Sequence, residues 1–322
     1  MQNFEHINAT TVAEAVSALA SYKGKATVVA GGTDLIRTLR NNVLSTYPEA
    51  VINLKTIKGL DYIKEEGGFL KIGALARLDA IVNDATIKSK YQALASAAQS
   101  VGAWQLRVMG TLGGNLCQNV ECWYYRYPNN QFNCLRKGGQ VCYAIAGDNR
   151  YHSIFGATGG CVAVSPSDIA PALMAFGGKV LTSKRTLDAK DFFVASVSKT
   201  TSLGDDEIVT EVQLPTPTAG VKSAFVKFAL RQAVDFPIVN CAAVITSSGG
   251  TVSAASIVLN AVAGAPRRAT EAETALKGKA IDETNAQAAG DAAVASAVAL
   301  TNNKYMVQIA RTMVKRAVLA CK

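Results

Sequence analysis

The stretch 122-CWYYRYPNNQFNCLRKGGQVC-142 sets three cysteines within 21 residues, with Cys117 five residues before it and Cys161 nineteen after. Aromatic and basic residues fill the gaps and no apolar period runs through them, so neither a helix nor a strand accounts for the pattern. Clustered thiols in a chain without a secretion signal point to metal ligation, because cytosolic thiols are kept reduced and do not build disulfide frameworks. Cys241 and Cys321 stand apart and read as small buried or terminal side chains.

A second kind of chemistry is written in glycine. In 28-VVAGGTDL-35 a β-branched run ends in Gly31-Gly32, and Thr33 and Asp34 open a helix. Such a turn lets backbone N–H groups approach a phosphate, and a Cβ at Gly31 or Gly32 is expected to fill the space that a diphosphate needs. A turn with an N-cap explains the same residues equally well. The pattern is neither G-x-G-x-x-G nor a Walker loop. A second turn, 110-GTLGGNLCQ-118, repeats the logic, and two such turns suit a dinucleotide held between subdomains. Downstream lie 165-SPSDIAPAL-173, where Asp168 by itself reads as an N-cap, and 225-FVKFALRQAVDFPIVN-240, where Lys227 reads as part of a solvated strand face, four residues before Arg231.

These residues need a scaffold. TTVAEAVSALASY is an amphipathic helix capped by Thr10 or Thr11, KATVVA a strand, TDLIRTLRNN a helix, and AVINL and FLKIGAL are strands. One long helix is expected over DAIVNDATIKSKYQALASAAQSV, then an apolar run CVAVS, a helix from Asp168, a hairpin at GGKVLTSK and an edge strand DEIVTEVQLP closed by Pro215. From about Thr216 come three strands, with a hairpin at SSGGT, and then helices to the end. No internal repeat is present.

With 49% apolar and 18% charged residues in 322, the chain has room for two or three packed domains. No run long enough to cross a membrane occurs, and the N-terminus lacks the order of a signal peptide. The expected compartment is the cytoplasm, with periplasmic export alongside a partner subunit left open. The net charge of +9 is scattered without a basic block, which argues against nucleic acid and suits an anionic cofactor or an acidic partner.

Taken in order, AGGTDL at 30–35, TLGGNL at 111–116, SPSD at 165–168 and the pair Lys227 and Arg231 resemble the FAD-binding medium subunits of the molybdenum hydroxylases, the xanthine dehydrogenase and carbon monoxide dehydrogenase family. The resemblance covers the whole chain. It implies an α+β protein: a two-subdomain FAD-binding fold of the vanillyl-alcohol-oxidase (PCMH) type over 1–215 and a C-terminal α+β domain over 216–322. It also implies an FAD site in which Val29, Ala30, Gly31, Gly32, Thr33, Asp34 and Leu35 wrap the diphosphate. Thr111, Gly114, Asn115, Gln118 and Asp168 complete that site, with Lys227 near the flavin and Val101, Gly102 and Leu214 lining it.

About forty-five residues separate the GGN turn from SPSD, where most of the family needs only a few. This insert, at about 117–161, is similar to that of 4-hydroxybenzoyl-CoA reductase and the bacterial three-subunit aldehyde oxidoreductases, in which four cysteines hold a [4Fe–4S] cluster. The resemblance assigns Cys122, Cys134, Cys142 and Cys161 as ligands, leaves Cys117 to the flavin turn, and makes His152 structural. Zinc could also take four thiolates, although the usual C-x2-C knuckles are absent. The function implied is electron transfer by FAD and [4Fe–4S] within a heterotrimer. A large molybdenum-cofactor subunit would bind an aldehyde or aromatic substrate, CoA thioesters included, beside a small [2Fe–2S] subunit and an external electron partner. A stand-alone flavin oxidoreductase and a zinc-stapled binding protein are the rival readings.

Overall fold

The computed structural model describes all 322 residues, in three sheets. The first is parallel, with β1 (Glu5–Asn8), β2 (Ala26–Val29) and β3 (Ala50–Asn53) in the order β1-β3-β2. Its crossovers contain α1 (Val12–Ser21) and α2 (Leu35–Arg40). Of the two candidate caps it is Thr11 that starts α1, accepting from the Glu14 N–H at 3.1 Å. Central β3 is buried at all four positions, as a covered parallel strand must be.

The second sheet is antiparallel, with β4 (Ile63–Glu66), β5 (Phe69–Gly73), β6 (Lys179–Thr182), β7 (Thr186–Asp188) and β8 (Val209–Pro215) in the order β4-β5-β8-β6-β7. The expected edge strand β8 is thus central. Pro215 is compatible with this because it ends the strand, opposite Phe69, where its missing N–H interrupts no interior rung. The single long helix expected after β5 is three: α3 (Leu78–Asn83), α4 (Ala85–Lys90) and α5 (Gln92–Gln99). Asp84 adopts extended backbone and its carboxylate accepts from the Ile87 N–H at 2.9 Å, so it caps a new helix where periodicity alone continued the old one. Tyr91 makes the second break, its fully buried ring set edge-on to Phe176. Short helices α6 (Trp104–Arg107), α7 (Leu112–Leu116), α8 (Trp123–Arg126) and α9 (Tyr143–Ala146) follow, then α10 (Ile169–Ala175) and α11 (Ala189–Phe192). Between Cys117 and Cys161 only α8, α9 and two single 3-10 turns are regular.

The third sheet holds β9 (Val221–Phe228), β10 (Val239–Ser248), β11 (Thr251–Asn260) and β12 (Arg267–Arg268) in the order β12-β11-β10-β9. Gly249 and Gly250, at φ +57° and +81°, turn the β10–β11 hairpin. Helices α12 (Thr270–Leu276), α13 (Glu283–Ala293) and α14 (Lys304–Leu319) belong to this part, with α14 against β9 and β10. α5 and α10 also pack on the third sheet, so Ala242 and Val258 join the core of the second sheet rather than their own.

Candidate functional site

A cleft of about 920 Å³ opens between the sheets, at the upper end of the range for cofactor pockets. Val29 to Leu35, Val101, Gly102, Thr111, Gly114, Asn115, Gln118 and Asp168 all line it. Two residues expected there do not. Leu214 is fully buried in the second sheet's core, because strand alternation turns it inward with Val212. Lys227 sits behind the wall.

The two glycine turns play different parts. No amide from Gly31 to Asp34 donates to a protein acceptor, which leaves a row of N–H groups on the cleft wall suited to a diphosphate. The amides of the second turn are used internally: Leu112 donates to Ala76, Gly113 to Ala74, and Gly114 to the Thr111 hydroxyl. The reason for Gly31 also differs from the expectation. A Cβ there would overlap the Met109 carbonyl oxygen and come within 2.9 Å of Gly110 Cα, so this glycine lets the two turns pack together rather than clearing space for a ligand. Gly32 is needed for its φ of +74°. Gly31→Ala is therefore expected to lose about 1–3 kcal/mol as well as bound FAD. Thermal unfolding and flavin content check this; an unchanged melting temperature would show that the turns separate freely.

Asp34 makes no cap bond to α2. Its carboxylate instead meets Arg126 of α8, with Nη1 at 2.6 Å. The Arg126 side chain is 4% exposed and spends its remaining donors on Thr38 Oγ1 at 2.7 Å and the carbonyls of Val120 and Asn119, both at 2.9 Å, with Glu121 at 3.3 Å. One guanidinium so fastens the insert to the diphosphate turn. Glu121, Trp123, Arg126, Tyr127 and Tyr151 extend the insert along the cleft wall.

Asp168, also on the cleft wall, stands at the N-cap position of α10, but its buried carboxylate makes no cap bond. Ser167 does the capping, accepting from the Ala170 N–H at 3.1 Å and donating to Asn115 Oδ1 at 2.6 Å. Burial pushes the Asp168 carboxyl up, against the pull of the Lys227 ammonium at 2.7 Å and of Asn240 Nδ2 at 2.7 Å. Lys227 Nζ also donates to the carbonyls of Ser100 at 3.0 Å and Asp235 at 2.8 Å, which makes it a largely enclosed tie rather than a solvated strand residue. Arg231 is left exposed at the rim, 3.6 Å from Asp235.

Cys122, Cys134, Cys142 and Cys161 line a single small apolar cavity with Tyr124, Tyr125, Leu135, Tyr143 and Ala163. Cys117 faces the cleft instead. The amides of Tyr124 and Tyr125 serve the Cys122 sulfur, those of Val162, Ala144 and Ile145 serve Cys142, and that of Ala163 serves Cys161. Burial raises the Cys122 thiol to about 12, while the neighbouring Cys161 thiol pulls that of Cys142 below the ordinary thiol range. Lys137, 6% exposed, and Arg136 bring positive charge beside the thiols. No three His, Cys, Asp or Glu side chains converge closely enough to hold a single metal ion. His152, read from sequence as merely structural, has Nε2 3.2 Å from Cys122 Sγ, and burial lowers its pKa to about 4. Arg126, Lys137 and the His152 contact were missed for lack of a local signal, apart from the presence of basic residues in an insert that is otherwise aromatic.

A long cleft with a row of free turn amides at one end defines a protein built to hold an extended dinucleotide cofactor. Residues 2–217 match the FAD binding domain in molybdopterin dehydrogenase, and residues 224–321 match the CO dehydrogenase flavoprotein C-terminal domain. The chain belongs to the FAD-binding medium subunits of the molybdenum hydroxylase family and is an FAD-dependent oxidoreductase subunit. It is 30% identical to the aldehyde oxidoreductase FAD-binding subunit of Escherichia coli, over 97% of this chain and 96% of that one. The carbon monoxide dehydrogenase medium chain of Hydrogenophaga pseudoflava is 27% identical over 98% and 96%. The structure of that organism's carbon monoxide dehydrogenase lacking the Mo-pyranopterin moiety superposes with a TM-score of 0.77 at 27% identity, covering 99% of this chain and 97% of that chain. No helix is long and apolar enough to cross a membrane.

Proposed function

We propose that this chain carries electrons between an external partner and a molybdenum subunit, using FAD in the cleft and a [4Fe–4S] cluster in the cysteine cavity. The observation that carries the reading is the meeting of four cysteines at one cavity, whose lining residues Cys122 and Tyr125 are chain neighbours of Trp123 and Arg126 on the cleft wall. Iron–sulfur clusters take four thiolates and gain from N–H groups aimed at sulfur, both of which are on hand. Zinc also accepts four thiolates, but the C-x2-C knuckles that usually hold it are absent. The cavity, at about 10 Å³, has room for one water. A cluster therefore requires the thiols to swing apart, which a loop with so little regular structure allows.

FAD, when bound, supplies the exchange of electrons. The residues contribute placement: the amides of 31–34 hold the diphosphate, Asp34 and Arg126 brace that turn, and the Asp168–Lys227 tie fixes the far end near Val101 and Gly102. No side chain is poised as a general acid or base, so the substrate would be bound by a partner, an aldehyde or an aromatic compound in keeping with the relatives' names. The further readings are the PCMH type of FAD-binding fold over 1–215 with a C-terminal domain over 216–322, large molybdenum-cofactor and small [2Fe–2S] partner subunits, and a cytoplasmic setting. The native protein is expected to elute as a complex and to combine flavin absorption with a broad iron–sulfur shoulder. Flavin without iron would favour a stand-alone oxidoreductase; bound zinc without flavin would favour a stapled binding protein.

A further inference from the structure

We propose that Arg107 acts through the Val101–Gly102 peptide to make the Gly102 N–H a strengthened hydrogen-bond donor to the flavin ring, and thereby raises the flavin's reduction potential. This rests on the reading that places the ring beside Val101 and Gly102. Arg37, Arg126 and Arg231 on the cleft wall and Lys227 behind it are each met by a carboxylate. Arg107, at the end of α6, is not. The residue is 8% exposed, its Nε is buried without a partner, and its one protein acceptor is the Val101 carbonyl, 3.1 Å from Nη1. Enclosing a cation without a counter-charge is costly, and negative charge arriving in the adjoining cleft offsets that cost.

The Val101 carbonyl and the Gly102 N–H belong to one planar peptide unit. Both residues line the cleft, and the Gly102 N–H donates to no protein group. A ligand that displaces water from this wall has to supply the missing acceptor. The peptide is fixed in place: Gly102 sits at φ +52°, its carbonyl accepts from the Val234 N–H at 3.3 Å, and Leu106 packs so closely that a Cβ on Gly102 would come within 2.7 Å of Leu106 Cδ1. A guanidinium bonded to the carbonyl end of a peptide polarises the whole unit, which makes its N–H end the stronger donor.

Two-electron reduction, with electrons from the partner subunit and one proton from water, leaves one negative charge on the flavin ring, and no bond forms or breaks at Arg107. A strengthened donor backed by a cation stabilises that charge more than it stabilises the neutral oxidised ring. Removing the cation must lower the potential.

The test uses the intact complex as wild type, as Arg107→Met, which keeps a long side chain without its charge, and as Arg107→Lys, which restores the charge. Val101→Asp tests the placement of the ring, because an anion on that wall lowers the potential whatever Arg107 does. Flavin content is measured together with the midpoint potential, from a redox titration followed at the flavin absorption bands. Full flavin is expected in both Arg107 variants. The reduction constant should fall about tenfold in Arg107→Met, which is about 30 mV for a two-electron couple, with most of the shift recovered in Arg107→Lys. An unshifted potential in Arg107→Met beside a lowered one in Val101→Asp overturns the proposal and leaves the ring at that wall. No shift in either overturns the placement as well. Flavin lost from Arg107→Met, or a shift that Arg107→Lys does not recover, also overturns it, by making Arg107 a support for the wall rather than a source of charge.

Discussion

Replacing any one of Cys122, Cys134, Cys142 or Cys161 with serine is expected to strip most of the iron from the chain, while Cys117→Ser keeps it. A serine oxygen is a harder and poorer ligand for these irons than a thiolate, and a cluster with three good ligands is lost in purification. Cys117 lies on the cleft side of the wall, away from the other four. Its replacement should disturb the flavin if it disturbs anything. Iron analysis and low-temperature electron paramagnetic resonance of the reduced protein distinguish the cases. Loss of signal in Cys117→Ser with retention in Cys161→Ser would exchange the fourth ligand; zinc in anaerobically purified wild type would change the metal.

Arg126→Met should cost about 3 kcal/mol, the lower end of the usual penalty for breaking a buried ion pair. The arginine is almost completely enclosed, but Asp34 is 31% and Glu121 18% exposed, so water relieves part of the charge left behind. Thr38 Oγ1 and the carbonyls of Val120 and Asn119 also lose their donor. Flavin and iron are both expected to fall, because the diphosphate turn and the backbone beside Cys122 lean on the same side chain. Denaturant unfolding gives the stability, and flavin and iron assays give the rest. Normal flavin with depleted iron would mean that Asp34 needs no brace.

Much of this arrangement was legible from local signals. β-Branched runs marked β2 and β3, paired glycines marked both turns and the β10–β11 hairpin, and the pair Thr10-Thr11 marked the start of α1 to within one residue. Failures came where a distant partner overrode a local rule. Asp168 has the position of a cap, yet its carboxylate is claimed by Lys227 and Asn240, 59 and 72 residues further on. Lys227 has the sequence setting of an exposed strand residue, yet three acceptors hold it against the interior. β8 looked like an edge because of its proline, but that proline falls where the ladder ends. Within the helical stretch after β5, Asp84 is helical by period and a cap by chemistry, and chemistry prevailed. The cysteine insert had no periodicity to read, so composition exposed its thiols and not the Arg126 anchor, whose partner Thr38 lies 88 residues upstream.

The tie between Asp168 and the third sheet bears on how such chains can diversify. The two family regions meet between residues 217 and 224, which invites treating them as interchangeable modules. Yet the buried carboxylate belongs to the first, while Lys227 and Asn240 that answer it belong to the second, and Asn260 Nδ2 holds the Ser167 carbonyl across the same seam at 2.8 Å. A chimera joined at that boundary inherits an anion from one parent and its counter-charge from another, and survives only if both parents kept the same pairing. A crossover outside residues 167–260 keeps Ser167, Asp168, Lys227, Asn240 and Asn260 from one parent, so the block that must travel together straddles the boundary between the two matched regions instead of ending at it.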